Sequence, residues 1–230
     1  MSAIRDLVFL FDVDNTLLDN DAAQRDYHAQ LVRECGVGAA ERYWAIFEQL
    51  RQDLGYADYL GAFQRYRLDR FHDPRVLLVS GYLLDYPFAD RLYAGALDVL
   101  AHFAQQGVTV IFTDGDAVFQ PRKIERAGIR QLVGDRVLVH IHKEQELENV
   151  ERLYPAAHYV FVDDKLRLLT AVKKIWKARV TTVFPRQGHY ALDLEIVSNN
   201  PPADVSIAAI GDLLHYDAQT LLSAAGIPEA

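Results

Sequence analysis

The chain has 230 residues, 50% hydrophobic and 24% charged, with a formal net charge of −8 and one cysteine, Cys35. That length fits one large domain or a domain with a sizeable insert, and it suffices to bury a real core. The acidic balance argues against a nucleic-acid or anionic-membrane binder, while a lone cysteine excludes an internal disulfide and makes a cytoplasmic location the default. Met1-Ser2-Ala3-Ile4-Arg5-Asp6 lacks the apolar stretch of a secretory signal, and no apolar run approaches membrane-spanning length.

The first element is the run Leu7-Val8-Phe9-Leu10-Phe11, which leads directly into Asp12-Val13-Asp14-Asn15-Thr16. An unbroken apolar run of this length predicts a strand buried on both faces, as in a parallel sheet covered by helices. Such a strand does not carry acids through its interior, so Asp12 and Asp14 belong at its carboxyl edge. Open α/β sheets bind their ligands there. Two adjacent carboxylates repel, and a hard oxygen-ligated cation such as Mg²⁺ relieves them.

From about residue 20 to 90 the pattern turns helical and aromatic-rich. Helices are predicted over residues 22–35, 40–54, 56–71 and 76–86, with breaks at Gly36-Val37-Gly38, Gly55, His72-Asp73-Pro74 and Pro87. Tyr43, Trp44, Phe47, Tyr59, Phe63 and Tyr66 have the spacing of a core, with one or two left to face a cleft. Arg65, Arg67 and Arg70 read chiefly as a solvated face. No strand is offered here, so the block is an inserted module.

Alternation then resumes. A helix over 96–105 precedes a strand over 107–112 ending in Thr113-Asp114-Gly115. A helical stretch over 122–126 precedes a strand over 136–142 that delivers Lys143. A helix over 144–154 leads to a strand over 159–162 ending in Asp163-Asp164-Lys165. A helix over 166–177 leads to a fifth strand over 180–184. Repeated strand–helix alternation means parallel strands joined by right-handed crossovers, hence an α/β doubly wound sheet. All these strand ends share one edge, so Asp12, Asp14, Thr113, Lys143, Asp163 and Asp164 can converge.

The convergent set suits phosphoryl transfer. One carboxylate can attack phosphorus and a second can serve as acid and then base. A metal and a lysine can neutralise the phosphoryl oxygens, while a hydroxyl and backbone N–H groups hold the others. His140 and His142 share a strand face without a third ligand nearby, which favours a structural role. Cys35 reads as packing. Arg186-Gln187-Gly188-His189 follows the fifth strand and falls near the same edge.

Four separated motifs carry a family resemblance: Asp12-Val13-Asp14-Asn15-Thr16, Thr113 with Asp114-Gly115, Lys143, and Asp163-Asp164. Together they resemble the haloacid dehalogenase superfamily, in its DxDxT phosphatase branch. The resemblance implies a Rossmann-like core from residues 1–19 and 91–230, with residues 20–90 as a C1-type helical cap. It implies Asp12 as nucleophile and Asp14 as general acid and base. Thr113 (with Asp114 and Gly115) and Lys143 would hold the phosphoryl group. Mg²⁺ would take the Asp12 carboxylate, the Asp14 carbonyl and Asp164, with Asp163 behind it. Thr16 would support the loop. Lys143 is followed by Glu144 where the family often has proline, and Lys165 is the competing lysine.

Dehalogenases of this superfamily need neither the metal nor the second acid, and its phosphonate hydrolases need a cap lysine, which residues 20–90 lack. The implied activity is Mg²⁺-dependent hydrolysis of a small phosphorylated metabolite, with no nucleic-acid or membrane partner. A phosphomutase and a catalytically idle phospholigand- or protein-binding relative are the alternatives. The sequence fixes no oligomeric state.

Overall fold

The opening apolar run forms strand β1, Arg5–Phe11, in the computed structural model, which describes residues 5–68 and 72–226. Its side chains go alternately to two apolar clusters, Phe9 and Phe11 to one and Val8 and Leu10 to the other. All four are fully buried, as expected of a strand covered on both faces. The other strands are β2 (Val108–Asp114), β3 (Val137–His140), β4 (Ala156–Val162), β5 (Val180–Pro185) and β6 (Val205–Ile207). Every pairing is parallel, in the order β3-β2-β1-β4-β5-β6. This is the doubly wound, Rossmann-like arrangement, with β1 central and the order reversing beside it.

Four helices follow β1 and make up the insert: α1 (Asn20–Cys35), α2 (Val37–Leu54), α3 (Tyr59–Arg67) and α4 (Arg75–Asp85). Asp19 caps α1 by accepting from the Ala22 N–H at 2.8 Å, and left-handed Gly55 ends α2. The expected end of the third helix at Phe71, and Arg70, lie outside the described residues. Tyr27, Tyr43, Tyr59 and Tyr66 are buried in this insert, and its core runs on into the Phe9/Phe11 face of the sheet. Arg65 and Arg67 stand on the last turn of α3.

The remaining helices are α5 (Ala96–Ala104), α6 (Phe119–Arg126), α7 (Ile129–Val133), α8 (Leu147–Leu153), α9 (Leu166–Trp176), α10 (Gly188–Leu192), α11 (Leu194–Ser198) and α12 (Ala218–Ala224). Several elements depart from the expectation, and α7, α10, α11 and α12 have no predicted counterpart. β3 stops at His140, because Ile141 and His142 turn outward to solvent. α6 starts three residues early, since Pro121 falls in its first turn, where a missing N–H costs nothing. β6, three residues long after Pro201-Pro202, has no counterpart in the predicted elements.

Candidate active site

Each candidate side chain stands where a strand stops. Phe11 pairs with Ile111 of β2 and with Val162 of β4, and the Asp12 N–H extends the ladder by donating to the Val162 carbonyl at 3.0 Å. Asp12 and Asp163 are therefore the first residues past the paired region on adjacent strands, roughly 4.8 Å apart in strand spacing. Lys143 comes in from the end of β3. Its Nζ lies 2.6 Å from Asp12 Oδ1, 2.5 Å from Asp163 Oδ2 and 3.3 Å from the Phe112 carbonyl. Its backbone N–H donates to Asp114 Oδ1 at 2.8 Å, which fixes the turn that carries it. Lys143, not Lys165, is thus the lysine in contact with Asp12 and Asp163, with Glu144 in the proline position.

The acids are crowded. Asp12, Asp163 and Asp164 are 2%, 0% and 1% exposed, and each can place a carboxylate oxygen within 4.8 Å of the others. Burial pushes the Asp12 carboxyl up, but the charges of Lys143 and Lys165 outweigh it and leave the group below its ordinary value. Asp163 is pushed up to about 6 by burial and the Asp12 charge, against the pull of Lys143. Burial also holds Asp164 well above the carboxylate range. Both Asp164 carboxylate oxygens are buried without a hydrogen-bond partner. Buried, orphaned oxygens facing two other carboxylates are the donor set a hard cation satisfies, so Asp12, Asp163 and Asp164 fit a metal ion.

The hydroxyls brace this cluster. Thr16 Oγ1 donates to Asp12 Oδ2 at 3.3 Å and accepts from the Asp164 N–H at 3.1 Å. Thr113, 1% exposed, accepts from Gln120 Nε2 at 3.1 Å. Asn15 takes a left-handed backbone, φ 58°, which asparagine tolerates, and its side chain accepts from the N–H groups of Asn20 and Asp21. Gln187, after β5, donates to the carbonyls of Thr16 at 2.7 Å and Asn15 at 3.3 Å while accepting from the Ile210 N–H at 3.0 Å.

Asp14 behaves differently from Asp12. Its carboxylate leaves the cluster and meets Lys123 Nζ at 2.7 and 2.9 Å. Lys123 is 1% exposed, also donates to Asn20 Oδ1 at 3.1 Å, and lies 5.6–5.8 Å from the ring centres of Tyr59, Phe88 and Phe119. The sequence reading missed this lysine. The signal was available: Phe119, Lys123 and Ala127 repeat every four residues, and the outer two are buried.

Above these residues lies a cleft of about 780 Å³. Asp14, Asp114, Asp164 and Lys165 reach it from the sheet edge, and Phe47, Arg51 and Tyr56 from the insert. Of the aromatic residues expected to pack the insert, Phe47 therefore also faces the cleft, whereas Arg65 and Arg67 do not line it. Gly55 approaches so closely that a Cβ there would lie 2.7 Å from His142 Cε1. His189 also lines the cleft, with Nδ1 2.7 Å from Asp21 Oδ1.

The parallel sheet with an aspartate cluster at its carboxyl edge defines a Rossmann-like enzyme. The chain belongs to the haloacid dehalogenase-like hydrolase family, whose model matches residues 7–174. It is similar to a haloacid dehalogenase-like hydrolase of Burkholderia xenovorans LB400, at 59% identity over 94% of this chain and 99% of that one, with a TM-score of 0.88. It shares its fold with the HAD-hydrolase YfnB of Bacillus subtilis, solved bound to magnesium, at 18% identity, 92% and 98% coverage and a TM-score of 0.61. It shares it equally with the L-2-haloacid dehalogenase of Xanthobacter autotrophicus, at 17% identity, 92% and 99% coverage and a TM-score of 0.60. A search of curated protein sequences finds no match. Among the described residues no helix is long and apolar enough to cross a membrane.

Proposed function

We propose that this hydrolase is a Mg²⁺-dependent phosphomonoester hydrolase working through an aspartyl-phosphate on Asp12. The observation that carries the reading is the pair of orphaned Asp164 oxygens beside Asp12 and Asp163. A mechanism resting on the nucleophile alone would have no use for them. Asp12, Asp164 and the Asp14 carbonyl would hold Mg²⁺, with Asp163 tied back to Lys143. The ion would supply charge to the phosphoryl oxygens and relieve the repulsion among the acids.

The chain's own groups do the rest. Lys143, held among Asp12 and Asp163, directs the Asp12 carboxylate and places a positive charge beside the phosphoryl group. Asp12 attacks phosphorus, the bond from phosphorus to the ester oxygen breaks, and Asp14 gives that oxygen its proton. Asp14 then takes a proton from the water that attacks the aspartyl-phosphate, returning Asp12 and releasing phosphate. Asp14 suits both steps because its side chain is 25% exposed toward the cleft and Lys123 fixes its direction.

A panel of phosphorylated metabolites, assayed for phosphate release with Mg²⁺ and then with excess chelator, tests the reading. Release is expected with the ion and is lost with chelator. Hydrolysis undiminished in chelator would remove the metal from the reading. Halide release from 2-chloropropionate with no phosphate release from any ester would replace the reaction altogether.

A further inference from the structure

The cleft is far larger than a phosphoryl group, and its volume matches that of pockets holding whole small molecules. Most of the fixed positive charge on its walls is already neutralised. Arg51 forks onto Glu48 at 2.9 and 2.7 Å, and Arg167 lies 3.7 Å from Glu144. Below the floor, Lys143 and Lys123 are committed to acids. Lys165 differs. Among the described residues no carboxylate makes an ion-pair contact with its ammonium, although the side chain is half-buried. Its backbone N–H donates to Asp163 Oδ1 at 2.7 Å and its carbonyl accepts from the Leu168 N–H at 2.8 Å, which leaves the ammonium for the cleft.

The surroundings give that ammonium a direction. Lys165 Nζ lies 5.5 Å from the centre of the Tyr190 ring. Tyr190 follows β5, one strand further from Asp12 than β4, so an anion held between the lysine and this ring stands to one side of the nucleophile, while the lysine charge still reaches Asp12. The Tyr190 hydroxyl accepts from an Arg51 amino group at 3.4 Å, which brings the insert over the same spot. The adjacent His189 ring, 4.0 Å from that of Tyr190, is anchored through Nδ1 on Asp21, and its other nitrogen has no partner among the described residues. A half-buried ammonium that no carboxylate contacts, with its face to an aromatic wall and the cleft, has room for an anion as a direct partner.

We propose that Lys165, backed by Tyr190, forms a second anion subsite, so that the preferred substrates are phosphomonoesters bearing another anionic group, a carboxylate or a second phosphate. The inference rests on the phosphatase reading and narrows its substrate class. A lysine serving the transferred phosphoryl group itself would treat all esters alike, which separates the two roles.

The test compares matched esters with Mg²⁺ present: 3-phosphoglycerate against glycerol 3-phosphate for the carboxylate, and fructose 1,6-bisphosphate against fructose 6-phosphate for the phosphate. Wild type should favour the member with the extra anion, in at least one pair, by about tenfold or more in kcat/KM, expressed mainly in KM. Lys165→Met should collapse that ratio toward one, and Lys165→Arg should keep most of it. Calorimetry of Asp12→Asn protein with the same compounds should show the same preference and its loss on adding Lys165→Met, with thermal melts confirming that each variant is folded. An equal loss for both members of each pair, or no preference in wild type, overturns the subsite and leaves the phosphatase reading standing. Phosphate release from none of the four esters, nor from the wider panel, overturns both.

Discussion

Two buried lysines serve the two acids of one five-residue motif, and their surroundings are opposite. Around Lys143 there is an excess of acid: Asp12 and Asp163 touch it and Asp164 stands close by. Around Lys123 acid is scarce. Asp14 is the one carboxylate it meets among the described residues, and rings of Tyr59, Phe88 and Phe119 surround it. The first pocket holds three acids to one contacting ammonium, and the second pairs one ammonium with one acid. Replacing each acid by its amide should therefore have unequal consequences for stability.

The largest expected effect separates the acids by activity. Asp12→Asn should lower turnover about a thousandfold or more, since an amide is a poor nucleophile. Its unfolding free energy should stay within about 1 kcal/mol of wild type, because the change relieves repulsion as it removes a partner. Urea denaturation beside steady-state kinetics measures both, and near-normal turnover in pure protein would end the assignment. Asp14→Asn should instead destabilise by about 3 kcal/mol, because it strands a buried ammonium.

The lysines sharpen the contrast from the other side. Lys143→Met leaves three crowded carboxyls without their internal counter-charge and should cost about 3–5 kcal/mol, part of it recovered on adding Mg²⁺. Lys123→Met leaves Asp14, which can hydrate toward the cleft, and should cost about 1 kcal/mol with no recovery by Mg²⁺. Equal losses in the two variants would refute the idea that one pocket is acid-rich and the other balanced.

A smaller effect lies outside both pockets and supplies a baseline for pH studies. Burial, together with the nearby Lys173 charge, pulls His158 from 6.5 down to about 4. Its Nε2 lies 2.9 Å from Thr181 Oγ1, in the 8%-exposed end of β4. Between those values the unfolded chain binds a proton that the folded chain refuses. Its contribution is therefore complete above about pH 6.5 and is lost as pH falls toward 4, amounting to about 1–2 kcal/mol after allowance for partial exposure. His158→Gln should flatten that part of the stability profile; an unaltered slope would assign it elsewhere.

The smallest expected effect is at the seam between insert and sheet. Gly55→Ala adds a methyl at φ +80° that meets His142, costing about 1 kcal/mol. Because the contact spans the cleft, the Michaelis constant should rise as the melting temperature falls slightly. A lower melting temperature with an unmoved Michaelis constant would make the contact purely structural.

What was legible in the sequence follows the same divide. Asp12, Thr113, Lys143, Asp163 and Asp164 stand at the ends of apolar runs, and parallel strands carry such ends to one edge whatever the helices do. The four-helix insert was equally plain, because breakers punctuate it. The helical spacing of Phe119, Lys123 and Ala127 marks Lys123 as inward-facing, but its partners Asp14, Asn20, Tyr59 and Phe88 come from separate segments that no local pattern brings together. Pro121 added to this by reading as a boundary when it stands in the first turn of α6. β6 was lost to brevity, since Val205-Ser206-Ile207 is too short for alternation to register.

Gln187 has a consequence for how the protein comes into being. Its side chain ties the Asn15 and Thr16 carbonyls to Ile210, across sequence separations of 172, 171 and 23 residues. Chains leave the ribosome N-terminus first, at about 5–20 residues per second. The loop bearing Asp12 therefore emerges well before the residues that complete its set of bonds. A nascent chain halted before residue 187 can pair β1 with β2 and β4, yet its catalytic loop still lacks the clamp, so competence waits for Gln187.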